Sequence, residues 1–321
     1  MLGQMVARAL LERGGLAADP GAPTALTELV LLDRAVAAGC VVDSRVKYVT
    51  GDIGDNSLMK RVFAPKTDAV FHLAAVVSAG AEANFDLGYL VNLHAMRLVL
   101  EACREQPAPP RLVYTSSVAA FGGDLPEVVT DATAATPQSS YGTQKVIGEL
   151  LVADYTRKGY IDGRSVRLPT IVVRPGRPNR AASGFMSNIL REPLNGEAAI
   201  CPVPPATRMW ILSPERAVEA LIRAIELAPD AWGWNRTLNA PGISVSVAEA
   251  LAALAALAGP ECAARVRFER DPAIENLVLG WPARFATARA DALGFRADGG
   301  IEDVIRAHMR TLPGARTVQL V

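Results

Sequence analysis

The chain has 321 residues, half of them hydrophobic, enough to bury the core of one large α/β domain or of a nucleotide-binding domain with a smaller lobe. Its 33 basic residues balance 33 acidic ones, so no net field gathers nucleic acid or an anionic membrane. Cys40, Cys103, Cys201 and Cys262 are far apart, as are His72, His94 and His308, a pattern that speaks against both a disulfide framework and a metal site.

The chain opens Met1-Leu2-Gly3-Gln4-Met5-Val6-Ala7, already in a helical pattern. Gly3 reads as the last glycine of a G-x-x-G-x-x-G turn, so the first strand and most of the glycine loop are expected to be missing from the recorded start. Short apolar runs at 27–32, 46–49, 69–71 and 111–115 then alternate with helical patterns, the longest at 82–105 and 141–155. Such alternation predicts an α/β fold, a doubly wound parallel sheet of the Rossmann type. The first run ends in Asp33-Arg34, where a carboxylate would accept hydrogen bonds from a ribose diol and repel a 2′-phosphate, favouring NAD over NADP. Arg34 would accommodate such a phosphate, and a plain strand-end acid is the bland alternative. Asp52 and Ile53 follow the second run and are expected at the adenine; Ala74 and Ala75 follow the third and let the backbone approach a pyrophosphate or ribose. His72 reads as a packed strand histidine without chemistry.

Past Arg174-Pro175-Gly176, prolines at 178, 193, 202, 204 and 205 predict an irregular lobe laid over the strand ends. Helical periodicity returns at 214–227, 247–257 and 301–309. The expected division is a NAD-binding domain over 1–168 and, over 169–321, a mixed region with a substrate-binding lobe and returning sheet elements. The apolar tail 318–321 is a weak alternative occupant of the first strand's slot, since no glycine loop follows it. The aliphatic run 247–258 carries Glu249 and is shorter than a bilayer span, and no signal-peptide core precedes the first helix, so a cytoplasmic protein is expected.

Tyr141 and Lys145 stand four apart, which on a helix aims both at one ligand. A nearby ammonium and a positively charged cofactor favour the phenolate and suit it to general-base work. The pair alone is equally consistent with an exposed helix face. Ser117, at the end of the 111–115 run, adds a hydroxyl where ligands of open α/β sheets sit.

Taken in order, Asp33, Gly51-Asp52-Ile53, His72-Leu73-Ala74-Ala75, Thr115-Ser116-Ser117, Tyr141-x-x-x-Lys145 and Arg174-Pro175-Gly176 resemble the extended short-chain dehydrogenase/reductase family of nucleotide-sugar epimerases and dehydratases. The likeness runs from residue 1 to about residue 312. It implies Tyr141 as base, Lys145 as ribose anchor, Ser117 as partner of the substrate hydroxyl, Asp33 as adenosine-ribose ligand, and Pro169 and Val172 at the nicotinamide. It also implies a homodimer built on 82–105 and 141–155; apolar faces such as Leu90, Leu93, Ile147 and Leu151 are compatible with that interface but equally serve core packing. The stretch 168–179 with Ser183-Gly184-Phe185 resembles the D-erythronate dehydrogenase branch, whose members oxidise the C2 hydroxyl of a four-carbon sugar acid with NAD.

Val118 and Ala119 stand where the dehydratases carry Asp and Glu, which excludes dehydration; the segment 208–214 departs from the epimerase pattern and points to a smaller substrate. A small hydroxy acid brings a carboxylate suited to a guanidinium, with Arg174 and Arg208 as candidates, although either would serve equally in a structural ion pair. Ser78 and Thr143 are candidate sugar-acid hydroxyl partners or helix-end polar groups; Phe185 and Trp210 close the pocket or belong to the core. Two alternatives stay open: a nucleotide-sugar epimerase, and a catalytically silent NAD-sensing protein, for which Ser117, Tyr141 and Lys145 would be superfluous.

Overall fold

Four parallel strands run side by side in the order Thr237–Asn239, Asp162–Leu168, Arg111–Ser117, Ala69–His72. The computed structural model describes residues 1–17, 23–36, 39–63, 66–176 and 182–312; the expectations placed on Arg177, Pro178, Asn179 and 318–321 lie outside them. In the Arg111–Ser117 strand, Leu112 and Tyr114 pack into one layer with Met59, Met96, Leu100 and Val152, whereas Val113 packs into the opposite one with Val6, Leu10, Ala217 and Leu221. A strand buried on both faces must be apolar at consecutive positions, which is why this run carries no alternation. The result is a parallel α/β sheet clad by helices on both sides.

Leu29–Asp33 and Val46–Thr50 form a separate parallel pair, in register from Leu29↔Val46 to Asp33↔Thr50. Among the described residues no strand bridges Leu29–Asp33 and Ala69–His72, and both are only half-buried along most of their length. The expected helix at 82–105 is broken into Ser78–Ala83, Phe85–Tyr89, a π-turn at Leu90–His94 and Ala95–Arg104. Asn84 interrupts it by taking an extended conformation and capping the next piece, its side chain accepting from the Leu87 amide at 2.9 Å.

The second half of the chain serves two places. The Pro214–Glu226 helix packs on the first sheet and the Thr237–Asn239 strand extends it. Elsewhere, Arg208–Leu212 pairs antiparallel with Ile243–Ser246 and parallel with Thr170–Ile171. That smaller sheet packs with the helices Gly184–Leu194, Val247–Ala258 and Ile301–Met309 around Met186, Ile189, Ile211, Leu254 and Ile305. No helix among the described residues is long and apolar enough to cross a membrane.

Candidate active site

Ser117 ends its strand and caps the turn that follows, its Oγ accepting from the Ala119 amide at 3.1 Å. Tyr141 and Lys145 lie in the first turns of the Ser140–Arg157 helix, whose cap Ser139 accepts from the Gly142 amide. The helix reaches the strand end because residue 142 has no side chain: a Cβ there would sit 2.0 Å from the Ala119 carbonyl oxygen. That closeness puts the phenol of Tyr141 within hydrogen-bonding reach of Ser117. The Lys145 ammonium is buried, donates to the Thr115 carbonyl at 2.7 Å, and lies 4.8 Å from the ring centre of Tyr114 and 5.5 Å from that of Tyr141.

Burial decides the protonation of this group. It pushes the Tyr141 phenol up to about 12, against the charge of Arg174 and the Ser117 hydrogen bond. It pushes Lys145 down to about 7, with Glu149 acting in the other direction. Beneath them, burial and then the charge of Lys145 lower His72 to about 3, so this packed histidine is neutral. The expectation that Lys145 would hold the phenol low therefore needs amendment. Among the chain's own groups, Arg174 is the cation that favours the phenolate.

The residues expected on the cofactor side lie, apart from Gly3, at or just past the carboxyl ends of their own strands. Asp33 is exposed at the end of Leu29–Asp33, its side chain accepting from the Arg34 amide. Asp52 is exposed beside it in sequence order, bonded to the Gly54 amide, while Ile53 is half-buried against the core. Ala74 is exposed and Ala75 half-buried just past Ala69–His72, and Gly3, at the start of the Leu2–Arg13 helix, lies against Leu73. Pro169 and Val172 are buried just past Asp162–Leu168. A free strand-end carboxylate, small residues at the neighbouring strand end and a helix N-terminus make the donor set that a dinucleotide's ribose and pyrophosphate take, and these residues fit NAD.

On the substrate side the two arginines part company. Arg174 is partly buried, its Nε donating to the Ile171 carbonyl at 3.0 Å and Nη2 to Ser183 Oγ at 2.9 Å, with its charge felt at Tyr141. Arg208 instead donates to the Ser244 carbonyl at 2.9 Å and forms an ion pair with Glu249 at 2.6 Å, the structural role left open for it. Ser78 is buried and accepts from the Ala182 amide at 3.3 Å, tying the first lobe to the second. Thr143 donates back to the Ser139 carbonyl as a helix-end group. Phe185 and Trp210 are both core residues, Trp210 packing on Phe285. Among the described residues no cluster of His, Cys, Asp or Glu could hold a metal.

Several residues of this neighbourhood escaped the sequence reading. Gly142 is one. Asn92, at the π-turn, accepts from the Val76 amide at 2.8 Å, donates to the Val76 carbonyl at 2.9 Å and to Gln144 Oε1 at 2.7 Å, so it fixes the loop after Ala75 to the catalytic helix. Glu149 and Arg167 form a buried pair under the same helix. A glycine in a helix's first turn was the one visible signal; the others depend on tertiary contacts.

Residues 1–228 match the family described as the NAD dependent epimerase/dehydratase family. The chain belongs to it. The chain is 54% identical to a D-erythronate dehydrogenase from Cupriavidus necator, over 96% of this chain and 94% of that protein. It is 43% identical to a D-erythronate dehydrogenase from Haemophilus influenzae, over 95% and 94%. Among solved structures, one described as the nucleoside-diphosphate-sugar epimerase from Agrobacterium tumefaciens is similar with a TM-score of 0.88 and 39% identity, covering 97% of this chain and 91% of that one. An L-threonine dehydrogenase from Cupriavidus necator shares the fold with a TM-score of 0.82 at 23% identity, over 96% of this chain and 95% of that one. The membership agrees with the Rossmann-type architecture expected from the motif order.

Proposed function

We propose that the chain is a NAD-dependent dehydrogenase that oxidises the C2 hydroxyl of a short sugar acid such as D-erythronate to the 2-oxo acid. The observation that carries this reading is a phenol flanked by a strand-end hydroxyl, Ser117, and a guanidinium, Arg174: a proton acceptor set beside a carboxylate partner. High identity to two D-erythronate dehydrogenases over nearly the full length supports the choice of acid.

Asp33 would hold the adenosine ribose, Asp52 and Ile53 the adenine, Gly3, Ala74 and Ala75 the pyrophosphate side, and Pro169, Val172, Tyr141 and Lys145 the nicotinamide riboside. When bound, NAD supplies the hydride acceptor. Ser117, whose oxygen accepts from the Ala119 amide and which is hydrogen-bonded to Tyr141, would turn its O–H to the substrate oxygen when the substrate binds. Arg174 orients the carboxylate, which sets C2 and its hydroxyl toward Tyr141. The phenolate oxygen takes the hydroxyl proton; Arg174 and the positive charge of the oxidised cofactor offset the burial that otherwise keeps Tyr141 protonated. Lys145 would donate to the ribose. Ser78 is a further candidate contact to the sugar acid, whereas Arg208 stays outside the proposed set because Glu249 and Ser244 hold it.

Phe85, Leu90 and Leu150, each at least half exposed on the two helical stretches named for assembly, are compatible with a homodimer that uses these stretches. The test of the activity is NADH formation from NAD with D-erythronate and other four- to six-carbon aldonates, using wild type and Tyr141→Phe. Turnover by wild type and its near-complete loss in Tyr141→Phe, with NAD binding kept within a few-fold, is expected. Turnover retained by Tyr141→Phe overturns the assigned base. A second reading, nucleotide-sugar epimerisation, draws on the similarity to the Agrobacterium tumefaciens protein. Tightly held NAD, a bound nucleotide sugar and no net NADH would establish it instead.

A further inference from the structure

Glu149 is a buried carboxylate that the proposed chemistry does not use, yet it touches most of the elements that perform it. It lies one helical turn beyond Lys145 and is 4% exposed. Its Oε1 accepts from Ser116 Oγ and from Arg167 Nε at 2.8 Å; its Oε2 accepts from Arg167 Nη2 at 2.6 Å. Ser116 is the neighbour of Ser117. Arg167 stands two residues before Pro169, lies over the Phe121 ring at 4.7 Å, and reaches Asn239 Oδ1 at 3.4 Å on the next strand. Phe121 itself follows the short turn that Ser117 caps. One carboxylate thus joins the catalytic helix, the strand end bearing Ser117 and the strand leading to the nicotinamide side.

Stability alone does not call for such a group. A buried ion pair replaced by apolar side chains of similar volume usually leaves a protein as stable or more so, because the desolvation cost disappears with the attraction. What an apolar pair lacks is direction. A two-toothed guanidinium–carboxylate contact fixes the rotation of the helix against the strand, and with it the placement of Tyr141 relative to Ser117. The apolar pair also lacks charge. Around Lys145, His72 on one strand and Tyr114 on the next are neutral, as is Tyr141 on the helix, so Glu149 is the negative group acting on the ammonium among the described residues.

We propose that Glu149 is a positioning residue of the reaction: through Ser116 and Arg167 it locks the catalytic helix against both strand ends. Its carboxylate, one helical turn from Lys145, also favours the ammonium of that side chain. The kinetic consequence rests on the dehydrogenase reading; the ionisation of Lys145 does not.

The experiment compares wild type, Glu149→Gln and the double variant Glu149→Met/Arg167→Met, each saturated with NAD. The double variant removes both charges together, so it is expected to melt within a few degrees of wild type. Its kcat for the sugar acid should still be down by about tenfold or more, as for a reacting group displaced by a fraction of an ångström, with KM changed by less than about threefold. NMR of ε-labelled lysine should show Lys145 titrating lower in Glu149→Gln than in wild type, and the alkaline limb of that variant's kcat should move down with it. A double variant with wild-type kcat, or a Lys145 titration unmoved by Glu149→Gln, overturns the proposal. If wild type itself oxidises no aldonate, the dehydrogenase reading falls, and the Lys145 titration alone then judges Glu149.

Discussion

Replacing Gly142 by alanine drives a methyl group into a backbone carbonyl. The new Cβ would lie 2.0 Å from Ala119 O, where ordinary contact begins at 3.4 Å, so helix and strand end must part by about 1.4 Å. Neither side can swing aside as a flexible side chain would. Alanine's helix propensity returns about 1 kcal/mol, but overpacking of this kind costs about 1–3 kcal/mol, so the variant should be less stable by at most about 2 kcal/mol. A domain of ordinary stability survives that loss. The effect on chemistry is larger, because the displacement separates Tyr141 from Ser117, and a misplacement of about 1 Å costs roughly a hundredfold in rate. The assay is kcat at saturating NAD and sugar acid, with thermal unfolding measured on the same preparation. A well-folded Gly142→Ala protein with wild-type kcat would refute the claim that this close approach assembles the site.

Arg174→Met should raise KM for the sugar acid by roughly ten- to a hundredfold, the worth of a charged hydrogen bond of about 1.5–3 kcal/mol, while titration calorimetry finds NAD binding unchanged. An unaltered KM would remove Arg174 from the substrate. Asp33→Ala should reduce the preference for NAD over NADP, read as the ratio of the two kcat/KM values; an unchanged ratio would return Asp33 to the role of a strand-end turn acid. His72, held near 3 by burial against an ordinary value of 6.5, refuses in the folded state a proton that the unfolded chain accepts. Stability should therefore be lost progressively as pH falls from 6.5 toward 3, and His72→Phe should flatten that part of a plot of denaturation midpoint against pH. A slope unchanged in the variant would count against the buried neutral histidine.

The strands were legible where both faces are covered, since residues 112–114 must be apolar whatever lies on either side. Thr237–Asn239 was not, because three residues are too few to show a pattern, although they complete one edge of the same sheet. Asn84 hid the break in its helix because one polar residue does not disturb the periodicity around it. Ser117, Tyr141 and Lys145 could be picked out by residue type and spacing. Arg208 could not be sorted from Arg174 in the same way: its partner Glu249 is 41 positions away, and only folding brings the two charges together. The same holds for Glu149, whose bonds to Ser116 and Arg167 span 33 and 18 positions.

The two helical layers meet the central sheet through alternate side chains of the Arg111–Ser117 strand, Leu112 and Tyr114 on one side and Val113 on the other. Volume changes in one layer are therefore insulated from the other by a full thickness of backbone, so each can drift in evolution while its opposite stays put. That freedom ends at Ser116 and Ser117, where adjacent hydroxyls answer to a buried acid and to the phenol of Tyr141, and there the strand tolerates no independent change.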